Sequence, residues 1–258
     1  KAFRNEITPG NFIFRTIEFE QMEHQWFCKE GTDQEYYAEY KKRAWQFLLD
    51  LGFKEEHLRF HDHDKLAHYA KAACDIQYDF PMGWSELNGI HNRTDYDLSR
   101  HQEYSGKSMM YVDPVTQERY IPYVIEYSIG ADRLMLAALS EAYDEETLEN
   151  GEVRNVMRFH PAIAAYKAAV LPLQKGLAPQ AKELLAKLKK HFLVTYDEAG
   201  SIGKRYRRQD EIGTPYCLTV DFDTLENGTV TVRDRDTMEQ VRMNADEVIA
   251  FLREKCAF

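Results

Sequence analysis

The chain has 258 residues, 44% of them apolar, and a net charge of −10. That length suits one large domain or two ordinary ones with a real core. No run approaches the roughly eighteen apolar residues of a membrane helix, and the acidic balance argues against a general nucleic-acid binder.

The charge is uneven. From Pro161 onward there are 15 Lys and Arg against 14 Asp and Glu, and before it 18 against 29. An acidic part is joined to a near-neutral part that carries a local basic run, "GKRYRR". Cys28, Cys74, Cys217 and Cys256 lie far apart with no CxxC between them, which fits free thiols in a reduced, cytoplasmic setting.

Residues 2–27 alternate and are rich in Phe and Ile, so strand, loop and strand are expected, with "TPGN" as turn chemistry. A helix follows, with Tyr37, Tyr40, Ala44, Phe47, Leu48 and Leu51 at helical spacing and Gly52 at its C-terminal cap. "HLRFHDH" reads as a strand, and "DKLAHYAKAAC" as a short helix capped by Asp64. "DIQYDF", "WSELNGIHNRTDYDL" and "RYIPYVIEYSIG" read as strands of an antiparallel sheet, backed by a helix over "ADRLMLAALSEAY". Residues 144–160 are polar and read as a surface insertion or linker.

After Pro161 strands and helices alternate. "KAAVLPL", "LVTYD", "TPYCLTVDF", "GTVTVRDRD" and "EQVRMN" are expected strands. "PQAKELLAKLKKHF", "GKRYRRQDEIG" and "ADEVIAFLREKC" are expected helices. The predicted organisation is an α+β domain over residues 1–158, an antiparallel sheet flanked by helices, and an α/β domain with a mixed sheet over 159–258.

Two stretches carry the chemistry. In "EYSIGADRLMLAAL" a strand ends near Ile129, Gly130 permits a tight turn, and Arg133 falls in the first turn of a helix, where the dipole favours an anion rather than a cation. Taken alone, a strand-to-helix corner with a solvated arginine explains this slightly better. In "FRNE" Arg4 and Glu6 share one strand face. In "FRTIEFEQME" Arg15, Ile17 and Phe19 share a face, with Glu18 and Glu20 on the other. A guanidinium grips phosphate bidentately, and an aromatic ring beside it can stack on a base. A wet sheet face with cross-strand ion pairs accounts for the charges but not for the aromatics flanking them.

These residues resemble the class II aminoacyl-tRNA synthetases. "FRNE…FRTIEFEQME" resembles their second motif, a long antiparallel hairpin, and "GADRLMLAAL" their third, a strand-to-helix turn with a terminal arginine. "FPMGWSELNGIHNRTDYDL" and "EFEQME" resemble segments of the glycyl-tRNA synthetases of homodimeric type. "HPAIAAYKAAVLPLQ" resembles the start of the anticodon-binding domain shared by the glycyl, histidyl, prolyl and threonyl enzymes. The family has a first motif that builds its dimer interface; here that motif is absent, so the expectation is a C-terminal fragment with an open question of dimerisation.

The resemblance implies ATP-dependent attachment of glycine to tRNA(Gly) through glycyl-adenylate, with Mg²⁺ accompanying ATP. Arg4 would hold the α-phosphate, Glu6 the adenine amino group, and Phe19 one adenine face. Arg133 would cover the other face or reach the γ-phosphate. Asn5, Phe14, Arg15, Thr16, Ile17, Glu18, Glu86, Leu87, Gly130, Ala131 and Asp132 complete the implied ATP site, with Glu86 also a reasonable Mg²⁺ ligand. The glycine pocket would be Glu23, Glu126 and Ser128, with Phe19, Glu20, Gln21, Met22, Tyr127, Ile129 and Gly130 around them. Crowding near Gly130 would exclude a side chain. One departure stands out: Ile17 occupies a position where the family carries a second arginine.

Lys204, Arg205, Arg207 and Arg208 around Tyr206 match what unstacked RNA bases need; a solvated helix with an Arg207–Glu211 pair is the bland alternative. His57, His61, Asp62, His63, Asp64 and His68 fit no zinc spacing and read as a polar turn. Two rival functions stay open at this point: another class II synthetase with the same tail domain, of histidyl, prolyl or threonyl type, and a non-catalytic RNA- or DNA-binding relative.

Overall fold

The computed structural model describes residues 1–258 as two units, Lys1–Ser140 and Glu141–Phe258. The first begins with two short strands, β1 (Ala2–Phe3) and β2 (Glu18–Phe19), paired antiparallel. The expected long hairpin is therefore a short ladder closed by a loop, with one isolated bridge between Gly10 and Arg15. Arg15 and Ile17 lie in that loop rather than on a strand.

Then come β3 (Gln21–Cys28), α1 (Asp33–Asp50), β4 (Leu58–Asp62), β5 (Ala72–Phe80) and β6 (Gly83–Asn92). α2 (Tyr96–Ser105), β7 (Tyr111–Val112), β8 (Arg119–Tyr120), β9 (Tyr123–Gly130) and α3 (Ala131–Ala142) follow. β3, β9, β6, β5 and β4 form one antiparallel sheet in that order.

Its apolar face places Cys74, Ile76, Ile90, Ile125 and Ile129 against Tyr37, Ala44 and Leu48 of α1. α1 ends as expected: the Gly52 amide donates to Leu49 O at 2.9 Å, and its φ of +95° is one that favours glycine. At the start of α1 the fully buried Asp33 accepts from the Gly31 amide, Lys71 and Asn92 at 3.0, 2.8 and 2.6 Å.

Two readings need correction here. No helix forms over 64–74. Cys74 and Ile76 are needed in the sheet core and are fully buried there, so packing overrides the helix propensity of an Ala-rich stretch. The Lys71 amide already donates to Asn92 O at 2.8 Å as β5 begins beside β6. Conversely, the strand read through "WSELNGIHNRTDYDL" stops at Asn92, and α2 starts beyond it. Its first turn is secured by the Ser99 hydroxyl donating to Asp95 at 2.7 Å, and it closes on Gly106 at a φ of +67°.

The second unit opens with β10 (Tyr143–Thr147) and β11 (Val153–Met157), an antiparallel hairpin. β12 (Ala168–Pro172), α4 (Ala178–Leu188), β13 (Val194–Tyr196), α5 (Ile202–Ile212) and β14 (Tyr216–Val220) follow. α6 (Phe222–Asn227), β15 (Thr229–Asp234), β16 (Gln240–Asn244) and α7 (Val248–Lys255) complete it. The sheet order is β13-β12-β14-β15-β16, parallel on the β13–β12–β14 side and antiparallel beyond, hence mixed as expected. α6 was not among the expected elements, and the strand expected to run to Phe222 ends at Val220, because Asp221 and Thr224 form a reciprocal cap that starts a helix.

Residues 144–160 are not a linker. Arg154 on β11 is fully buried and donates through Nε to Asp210 of α5 at 3.0 Å and through Nη1 to Glu146 of β10 at 2.9 Å. Arg158 holds Asp144 at 2.8 Å and Glu146 at 3.0 Å. These bonds tie the hairpin into the second unit, which is why the division falls at Ser140–Glu141 and not at the expected 158–159 boundary. A protease nick at the exposed hairpin tip is therefore expected to leave both halves attached. Native and denaturing electrophoresis of the nicked chain check this, and release of a free fragment of the second unit under native conditions would count against it.

Candidate active site

On the sheet face away from α1, alternation aligns polar residues from neighbouring strands. Glu23 of β3 stands opposite Ser128 of β9, and Gln25 opposite Glu126. Ser128 in turn faces Gly89 of β6, and Glu126 faces His91. By the same alternation Met22, Tyr127 and Ile129 point to the other face, where Ile129 and Tyr127 join the core.

A bulge brings Glu86 to the site. Asp75 pairs with Gly89 and Gln77 with Glu86, but the register shifts between Ile76 and Gln77. Parity alone would send Glu86 away from Gly89 and His91. The extra residue restores it to their face, a usual function of bulges beside sites.

These residues and the β1–β2 loop enclose a cavity of about 440 Å³. Its wall includes Arg4, Glu6, Phe14, Arg15, Thr16 and Phe19 from the opening segment, followed by Glu20, Gln21 and Glu23. Glu86, Leu87, Glu126, Ser128, Gly130, Asp132 and Arg133 complete the expected set that lines it. Asn5, Ile17, Glu18, Met22, Tyr127, Ile129 and Ala131 do not line it. Glu18 is engaged by Lys1 at 3.2 Å. Ile17 is 54% exposed, and only its carbonyl is engaged, accepting from the Arg4 amide at 2.9 Å. Ile17 therefore takes no part in the cavity wall.

Ile13, Tyr69, His91 and Arg93 also line the cavity and were not anticipated. Arg93 and His91 sit in "GIHNRTDYDL", whose glycine-type resemblance marked the segment without marking these side chains. Tyr69 sits in the stretch misread as helix, stacked under Arg93 with the guanidinium 4.3 Å from its ring centre.

One part of the cavity carries two arginine–aromatic pairs. The Arg4 guanidinium lies 5.1 Å from the Phe19 ring centre, and that of Arg133 lies 4.3 Å from Phe14. Arg133 is further fixed by donating through Nε to Phe14 O at 3.0 Å and through Nη1 to Glu86 O at 3.1 Å. The Glu86 carboxylate is 3.4 Å from the same Nη1. Arg15 approaches Glu6 at 3.7 Å.

Another part carries carboxylates. Glu126 accepts from Gln25 Nε2 at 2.9 Å and from Arg93 Nη1 at 3.2 Å. His91 Nδ1 is 3.5 Å from its Oε1. The His91 contact, then the Gln25 amide and the Arg93 charge, outweigh burial and hold the Glu126 carboxyl down at about 2. Its contribution to stability is complete above the ordinary value of 4.5 and is lost as pH falls through about 2. Unfolding free energy measured against pH is expected to fall across that window in the parent chain and to fall less in Glu126→Gln. Equal slopes would show that the carboxylate gains nothing from folding.

At Gly130 the atoms nearest to an added Cβ would be those of the Arg133 side chain, at an ordinary contact distance of 3.7 Å. The tight position is Gly89, where a Cβ would stand 2.7 Å from His91 Cε1.

The basic run of the second unit is mostly engaged within the fold. Arg205 is 3% exposed and donates to the carbonyls of Pro172 and Gly200, so it is a structural clamp and not an RNA contact. Arg208 donates to Asp197 at 2.9 Å. Arg207 stands 4.0 Å from both Glu152 and Asp210 rather than pairing with Glu211. The Tyr206 hydroxyl bonds Thr219 at 2.6 Å, and Arg233 covers its ring. Lys204 is left exposed beside them.

An antiparallel sheet bearing arginine–aromatic pairs at one part of a cavity and the carboxylates of Glu23 and Glu126 at another, followed by a mixed α/β unit, defines a recognisable class. Residues 1–142 match the family described as "tRNA synthetase class II core domain (G, H, P, S and T)", and residues 167–255 the one described as "Anticodon binding domain". The chain belongs to the class II aminoacyl-tRNA synthetase family. It is 62% identical over 260 aligned positions to a glycine–tRNA ligase of Clostridium kluyveri, 61% over 264 to one of Clostridium perfringens, and 60% over 260 to one of Geobacillus kaustophilus. Each alignment covers 100% of this chain and 56% of the relative, so the chain spans little more than half the length of these curated relatives. No helix is long and apolar enough to cross a membrane.

Proposed function

We propose that the chain carries the nucleotide and amino-acid sites, and the tRNA-reading unit, of a glycine–tRNA ligase. The reaction joins glycine to ATP as glycyl-adenylate with release of pyrophosphate, and then passes the glycyl group to the terminal ribose of tRNA(Gly). The observation that carries this reading is the division of a single cavity between arginine–aromatic pairs and the carboxylates of Glu23 and Glu126, the latter half-buried. The first suit a flat base and its phosphates, the second an ammonium group. The relatives are glycine–tRNA ligases, which points to the same substrate, and nothing in the site favours the histidyl, prolyl or threonyl alternatives or a non-catalytic relative.

Both steps rest on positioning and charge stabilisation. Arg4 would meet the α-phosphate and offset the charge that grows there as the glycine carboxylate attacks. Phe19 and Arg133 would bracket the adenine, with Glu6 accepting from its amino group. Glu23, Glu126 and Ser128 would hold the ammonium. Mg²⁺ would arrive on the nucleotide phosphates, which asks the protein for only one or two carboxylates, and Glu86, with its side chain 53% exposed, can supply one. The ion would neutralise phosphate charge.

Calorimetric titration with ATP and Mg²⁺ tests the assignment. Arg4→Ala and Arg133→Ala each remove charge-assisted contacts of about 1.5–3 kcal/mol, so each is expected to weaken binding roughly 10- to 100-fold. The titration is run on the chain and on a form extended to the length of its relatives. Unchanged affinity in both variants would refute the phosphate role of Arg4 and the adenine role of Arg133.

A further inference from the structure

His91 is the imidazole in the cavity wall, and the proposed chemistry gives it no role. It stands in register with Glu126 across the β6–β9 pair. Its buried Nδ1 has no hydrogen-bond partner, and the nearest carboxylate oxygen is Glu126 Oε1 at 3.5 Å. The ring is seated over Gly89, where any side chain would collide with it at 2.7 Å. From the other side the His63 ring packs edge-on at 6.1 Å between centres, itself bonded to Asp75 at 2.8 Å.

The charged groups facing His91 are therefore Glu126 on β9, Asp75 on β5 with His63 beside it, and Arg93 two residues on, just past the end of its strand. Glu23 on β3 and Glu86 on β6 are the further carboxylates on this face. Arg93 and Gln25 already occupy Glu126 from one side. The remaining reach of that carboxylate is shared between His91 and the cavity.

We propose that His91 is a positioning residue of the amine pocket: neutral, it leaves the Glu126 carboxylate free to hold a substrate ammonium; protonated, it pairs with that carboxylate and competes with the ammonium for it. This rests on the reading of Glu126 as an ammonium-binding group. Glycine keeps its ammonium charged throughout the range where histidine titrates, roughly pH 5–8, so an acid limb in amino-acid affinity reports the protein side of the contact. The nucleotide is not expected to share that limb, because His91 contacts none of the groups assigned to it.

Two measurements decide the matter. In the chain itself, the ring signals of the histidines are followed by NMR against pH, with His91 assigned by the signal lost in His91→Ala. The His91 midpoint is expected to move to lower pH in Glu126→Gln. Gly89→Ala, which pushes the ring from its seat, is expected to shift it the same way and serves if Glu126→Gln does not fold. A midpoint indifferent to both changes overturns the proposal.

In the form extended to the relatives' length, the KM for glycine in pyrophosphate exchange is measured against pH. It is expected to rise by up to about tenfold per pH unit on the acid side, with the KM for ATP flat, and His91→Gln is expected to abolish the rise. Glycine exchange with the same acid limb in His91→Gln overturns the proposal and leaves the ligase reading intact. Absence of exchange with any amino acid, while the His91 midpoint still answers to Glu126→Gln, refutes the ligase reading and upholds the His91–Glu126 pair.

Discussion

Replacing Asp210 by asparagine is expected to destabilise the second unit by about 3–5 kcal/mol, the usual cost of breaking a buried ion pair from one side. Asp210 is fully buried and accepts from Arg154 Nε at 3.0 Å and from Arg233 Nη1 and Nη2 at 2.8 and 3.1 Å. Arg154 is also fully buried, and Arg233 is 4% exposed. Asparagine would leave two desolvated guanidinium groups with one neutral acceptor and an amide that turns its own donors toward them. Arg154 keeps Glu146; Arg233 keeps only the face of Tyr206, 4.8 Å away.

For a unit of this size each kcal/mol moves the thermal midpoint by about 4–8 °C, so a fall of more than ~10 °C is expected. Thermal and urea unfolding of the chain measure it. Adding Arg233→Met is expected to recover part of the loss, because removing both partners of a buried pair costs less than removing one. An unchanged midpoint in Asp210→Asn would mean that water already reaches the cluster.

The second large effect concerns the amine pocket. In the form extended to the relatives' length, Glu126→Gln is expected to depress glycine-dependent pyrophosphate exchange while leaving ATP affinity nearly unchanged. Truncating one side of a buried, hydrogen-bonded charge pair costs about 2–5 kcal/mol, or roughly 30-fold to several thousand-fold. The size of the side chain is preserved, so the loss reports charge. The partners of Glu126 are Gln25, His91 and Arg93, and none of these holds Phe14, Phe19 or Arg4, which is why the nucleotide is spared. Alanine and serine are expected to be poor substrates of the parent enzyme, since one methyl in a tight pocket is worth about 1–3 kcal/mol. Equal exchange with serine and glycine would overturn the glycine assignment and leave the synthetase class standing.

Much of this site was legible before any coordinates. Arg4, Glu6, Phe19 and Arg133 line one cavity, and it was the resemblance of their two stretches to the class II motifs, not their residue types alone, that grouped them. Glu23, Glu126 and Ser128 also meet there, although their distance in sequence hides the pairing of β3 with β9 that brings them together. Arg93, His91 and Tyr69 escaped notice because nothing local distinguishes a site arginine or histidine from a solvated one. Arg205 misled in the opposite sense: a basic run around a tyrosine looks like an RNA surface until the helix is rolled against the carbonyls of Pro172 and Gly200.

The sequence by itself determined the elements that depend on near neighbours. The spacing of Tyr37, Ala44 and Leu48 makes α1 one-sided, and Gly52 ends it, because helix periodicity and a left-handed turn are properties of a few adjacent residues. The alternation in β9 and the mixed strand–helix rhythm after Pro161 are of the same kind. Only the tertiary structure decided what depends on register between distant segments. The bulge at Ile76–Gln77 that returns Glu86 to the site face exists only in the β5–β6 pairing. The burial of Arg154 against Asp210, which turns an apparent linker into part of the second unit, exists only once α5 is packed. A one-residue change of register exchanges the two faces of a strand, and that choice is settled by the long-range burial of Cys74, Ile76 and Ile90, not by any local preference of the chain.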